Sequence, residues 1–111
     1  MWIDRPPDEV YAFAADRERL GLWASGLTDV LGEVSVEFAP RNEFGVLDHV
    51  VTLASGESVY NPMRVIPAGP GQPRCEVVFT VRRPNVTQDE FDADVAAVTA
   101  DLEKLRRLLE S

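Results

Sequence analysis

Thr87–Glu110, which reads TQDEFDADVAAVTADLEKLRRLLE, decides the fold. Phe91, Val95, Val98, Leu102, Leu105 and Leu109 recur at spacings of four, three, four, three and four. That spacing lays one apolar stripe along an α-helix of about six turns. Thr87 and Glu90 have the spacing of a capping box, in which each side chain satisfies a backbone N–H that the first turn leaves open. Asp89, Glu90 and Asp92 suit the positive end of the helix dipole, and Lys104, Arg106 and Arg107 the negative end. The stripe is too short for a sustained coiled coil, and strand-like segments precede it. A helix lying across a sheet is therefore expected.

The rest of the composition sets bounds. With 111 residues the chain, 1–111, is a single domain with room for a core. Apolar residues at 45% beside 27% charged describe a folded chain, not a disordered one. No apolar run is long enough for a membrane span. Met1–Pro7 lacks the basic-then-apolar order of a signal peptide. Cys75 is the only cysteine, which excludes an internal disulfide and a thiolate metal cluster. A reducing, cytoplasmic setting is expected. The net charge of −8 would repel phosphates, so nucleic acid is not an expected partner.

Outward from the helix, the chain changes period twice. Trp2-Ile3-Asp4 reads as the end of a short strand. Pro6 and Pro7 preset helical φ, and Asp8 and Glu9 favour a helix start, with Val10, Phe13 and Ala14 on one face near 7–15. Asp16 can cap a second short helix carrying Leu20 and Trp23, which Gly26 ends. From Gly32 to Arg83 the period is two. Strands are expected at 33–39, 44–53, 57–66 and 75–82. Ala54-Ser55-Gly56 fits a hairpin loop with Gly56 left-handed, and that register sets His49 opposite Asn61. Pro62 falls inside a strand, so its missing donor must face away from a ladder or sit at a bulge.

Asp4-Arg5-Pro6-Pro7-Asp8-Glu9-Val10-Tyr11-Ala12-Phe13, followed by Leu20 and Trp23, resembles the opening of the START-like (Bet v 1-like, SRPBCC) superfamily, polyketide cyclase/dehydrase branch. Val77-Val78-Phe79-Thr80 and the helix from Thr87 resemble that family's last strand and C-terminal helix. Phe44–His49 and Tyr60–Arg64 look like a bacterial subgroup of it. The resemblance implies an α+β helix-grip fold, in which an antiparallel sheet wraps the long helix around an apolar cavity. Its known functions range from carriage of hydrophobic ligands through cyclase chemistry to protein–protein roles. This chain is a shortened member on that reading, with about five strands instead of seven, in the order β-α-α-β-β-β-β-α. Only Thr28–Gly32 stands where a further hairpin usually lies.

His49 is the only histidine and falls on the more apolar face of its strand. Beside Asn61 it can orient a ligand carbonyl or serve as a weak candidate for acid/base catalysis. The competing reading is a satisfied core pair. Asp48 adjoins it in sequence, but alternation sends the two to opposite faces. Tyr60 and Arg64 fall on the outer face, where solvent is the ordinary neighbour. One histidine cannot anchor a metal, Gly69-x-Gly71 opens no helix, and the serines lack a nucleophile context, so no metal and no cofactor are expected.

The expected function is binding of a small hydrophobic or amphipathic molecule between sheet and helix. His49, Asn61, Met63, Phe79, Phe44, Phe91, Val95 and Val98 are the candidate lining. The rival readings are an interaction module with a closed cavity and a cyclase-type enzyme. A sheet that has lost a hairpin exposes an edge, so a weak homodimer through 33–39 is also expected.

Overall fold

The computed structural model describes residues 1–24, 35–82 and 85–111. In chain order these form β1 (Trp2–Ile3), α1 (Pro7–Ala15), a 3₁₀ turn (Arg17–Arg19), α2 (Leu20–Trp23), β2 (Ser35–Phe38), β3 (His49–Thr52), β4 (Ser58–Asn61), β5 (Met63–Pro67), β6 (Cys75–Phe79) and α3 (Gln88–Glu110). The chain is α+β, with two antiparallel three-stranded sheets ordered β1-β6-β5 and β2-β3-β4. The expected end of the second short helix at Gly26, the link at Thr28–Gly32 and the start of the 33–39 strand lie outside the described residues.

Local chemistry accounts for the helix ends. Pro7 is the first residue of α1, where the missing N–H costs nothing. Asp16 Oδ1 accepts from the Glu18 N–H at 3.0 Å and starts the 3₁₀ turn. Thr87 Oγ1 accepts from the Glu90 N–H at 3.2 Å. The Glu90 carboxylate takes the Thr87 hydroxyl at 3.2 Å, so the reciprocal half of the cap runs between side chains. No helix among the described residues is long and apolar enough to cross a membrane.

The strand expected at 57–66 breaks at Pro62 into β4 and β5, which gives six strands among the described residues instead of about five. Its register does not slip: Val46 faces Arg64 and His49 faces Asn61 on either side of the break. Pro62 itself faces Asp48 on that side, at a position where neither residue donates to the other. On its other side the Thr80 N–H donates to Pro62 O at 3.0 Å just past the end of β6. The absent proline donor thus falls opposite Thr80, just past the end of β6, so the one return bond it forgoes lies outside that ladder.

The core gathers Ile3, Val10, Ala14, Trp23, Leu47, Met63, Val65, Cys75 and Val77 with Leu102, Leu105 and Leu109 of α3. Burying one such leucine is worth roughly 1.5–3 kcal/mol. α3 packs on α2 and β1. Its apolar stripe is not used evenly, since Leu105 is fully buried while Val95, on the same stripe, is 38% exposed. Burial of the stripe therefore holds for the second half of the helix, where it packs on α2 and β1 in place of a broad sheet face. Phe91 and Val98 are half-buried.

Candidate functional site

Leu47, Asp48 and His49 lie across from Asn61, Pro62 and Met63, at the joint between the two sheets. The Leu47 N–H donates to Met63 O at 2.8 Å, and an ordinary antiparallel pair would return that bond. Here side chains replace the return. The Met63 N–H donates to Asp48 Oδ1 at 2.9 Å, and Leu47 O accepts from His49 Nδ1 at 2.9 Å. Two consecutive side chains, one on each face, complete the ladder where the proline interrupts it.

On the outer face Asp48 is buried, and its carboxylate meets four donors. Tyr60 Oη lies at 2.7 Å, the Met63 N–H at 2.9 Å, Arg64 Nε at 3.0 Å and Arg64 Nη2 at 2.9 Å. The Arg64 fork is bidentate, the strongest geometry for this pair. Its hydrogen bonds hold the Asp48 carboxyl well below the usual carboxylate range, against the opposing effect of burial. The bond that Tyr60 donates to Asp48 raises the Tyr60 hydroxyl above its ordinary value. Tyr60 and Arg64 were expected merely to meet solvent, and instead they grip Asp48. The sign of this cluster was available in the sequence. Asp48 faces Pro62, so Tyr60 and Arg64 are its two diagonal neighbours on one face.

On the inner face His49 is 4% exposed and Asn61 2%. A carbonyl can only accept, so Nδ1 carries the ring proton and Nε2 keeps its lone pair. Burial lowers the imidazole pKa from its ordinary value, outweighing the bond to Leu47 O and the Asp48 charge, and the ring is neutral at pH 7. Asn61 Nδ2 approaches Nε2 at 3.5 Å, long for a hydrogen bond. Phe38 and Phe79 stand on either side, with ring centroids 5.3 and 5.6 Å from the imidazole. The result is a neutral hydrogen-bond acceptor set among aromatic rings.

The structure brings His49, Asn61 and Phe79 together. Met63 pairs with Phe79 across the strands and is wholly buried in the core. Phe38, opposite His49 in the β2–β3 register, belongs to the group although the sequence reading passed over it. Phe44 does not join. It is 83% exposed and lines a different cleft, beside Tyr11 of α1. Phe91 and Val98 are half-buried on the first half of α3, and Val98 reaches the core. Comparison of the chain with protein-family models and with curated proteins finds no match.

Proposed function

We propose that this chain binds a small apolar or amphipathic molecule bearing a hydroxyl group on the inner face of the β2-β3-β4 sheet. One observation carries the reading: His49 presents an unprotonated Nε2 among Phe38, Phe79 and Asn61 on a buried face. A ligand hydroxyl at about 2.8 Å would make a better bond to Nε2 than the 3.5 Å contact to Asn61. In the helix-grip arrangement that the START-like resemblance implies, the under-used stripe of Phe91, Val95 and Val98 would supply a facing apolar wall. A few convergent polar groups in an apolar setting are the usual composition of a small-molecule site. Apolar burial would drive binding, at roughly 25 cal/mol per Å² before ordering costs, so micromolar affinity is expected.

The test compares 2-naphthol with 2-methoxynaphthalene, which keeps the shape and removes the donor. Fluorescence titration should show 2-naphthol binding about threefold to tenfold more tightly, the value of one net hydrogen bond. His49→Leu should retain the ether and lose the difference. Failure of the wild type to take up either compound, or an undiminished preference in His49→Leu, would reject the proposal.

A further inference from the structure

A second site lies away from His49, where α1 meets the loop that leads into β3. Asn42 organises that loop with all of its side-chain capacity. Its Oδ1 accepts from the Phe44 and Val46 N–H groups at 3.0 Å each, and its Nδ2 donates to Pro40 O at 3.0 Å and Val46 O at 2.9 Å. The Asn42 N–H donates to Tyr11 Oη at 3.1 Å, tying the loop to α1. Gly45 has φ +72°, and a Cβ there would collide with Val65 O. A loop fixed this firmly nevertheless presents Phe44 at 83% exposure.

Phe44, Tyr11 and Pro67 line a cleft of about 660 Å³. It shares Pro7, Asp8 and Pro67 with a second cleft of about 730 Å³ that runs along the 67–73 loop. Together they make a long trough rather than a closed chamber. Tyr11 is 8% exposed, and among the described residues its hydroxyl proton meets no acceptor. Arg41 lies over the Tyr11 ring at 5.6 Å and, among the described residues, pairs with no carboxylate. A tyrosine hydroxyl proton without an acceptor among the described residues and an exposed guanidinium thus stand at one end of an aromatic- and proline-walled trough. Asp8 and Glu43 add negative charge on its sides, in a chain of net charge −8.

We propose that this trough docks an extended, proline-rich segment of a partner protein that carries arginine or lysine. A polyproline II segment fits each feature. Its carbonyls are free to accept from Tyr11 and Arg41, because its backbone makes no internal hydrogen bonds. Its rings pack on aromatic walls such as Phe44, as in other aromatic-lined grooves that read proline-rich chains. A basic side chain on it would answer Asp8 and Glu43.

The probe is a fluorescein-labelled peptide of prolines with an arginine near each end, read by anisotropy against the full chain. The controls replace arginine by glutamate, or proline by glycine and serine. Saturable binding is expected for the first peptide alone. Phe44→Ala, an exposed change that should leave the circular-dichroism melt unaltered, should weaken binding about tenfold. Glu43→Lys should weaken it about threefold to tenfold. The proposal is overturned by no saturable rise with the arginine–proline peptide, by equal binding of the glycine–serine peptide, or by an unaffected Phe44→Ala. Self-association in light scattering that Phe44→Ala abolishes would also overturn it, by assigning the trough to a second copy.

Discussion

On one face of the β3–β4 hairpin a carboxylate gathers four donors and stays charged, while on the other, one residue along, an imidazole is packed among rings and stays neutral. Asp48 and His49 are neighbours, both buried, and share a task, since each supplies half of the Met63–Leu47 ladder bond missing beside Pro62. They differ in what lies within reach. Arg64 stands half in water beside Asp48, so the cost of burying that charge is met by an ion pair whose far side remains hydrated. His49 has two phenyl rings and an amide for neighbours, and burial outweighs the modest pull of Asp48 on its proton. Two adjacent side chains thus separate into a structural clamp and a buried neutral acceptor whose only partner among the described residues, Asn61 Nδ2 at 3.5 Å, is distant.

The largest expected effect removes the clamp. Asp48→Ala leaves the Met63 N–H buried without an acceptor and Arg64 without its partner, and should cost about 3 kcal/mol in urea unfolding. A loss under about 1 kcal/mol would mean that the outer face carries no more of the joint than the inner one. A smaller effect separates the faces by pH. The folded His49 pKa is depressed, so the unfolded chain takes up the proton first, and stability falls as pH drops below about 6.5 towards the folded value. The slope is at most about 1.4 kcal/mol per pH unit. His49 is the only histidine, so His49→Leu should flatten the profile just below about pH 6.5. Asp48 acts lower, because its contribution is present above about pH 3.9 and is lost as the pH falls from there towards its depressed folded pKa. A wild-type profile that is flat across the histidine window would place the imidazole in a more watery setting than the inner face described here.

Much of this arrangement is written locally. The proline start of α1, the α3 stripe, the left-handed Gly56 and the pairing of His49 with Asn61 follow from spacing and turn chemistry within a few residues. What escaped depends on where neighbours end. Val95 and Leu105 share one stripe, yet α2 and β1 reach only one of them, and periodicity cannot say how far a partner extends along a helix. Phe44 sits in phase with Val46, but β3 begins at His49, and Asn42 with Gly45 turns the preceding chain outward. The Asp48 cluster spans three residues, each unremarkable singly, which register alone brings together.

The proposed binding at His49 requires the ring proton on Nδ1, and a long-range ¹H–¹⁵N correlation spectrum at pH 7 reads its position directly. The expected spectrum shows a protonated Nδ1, bonded to Leu47 O, and an unprotonated Nε2 that shifts to a hydrogen-bonded value when 2-naphthol is added. A protonated Nε2, a doubly protonated ring, or an Nε2 signal that does not respond at high 2-naphthol concentration would contradict it.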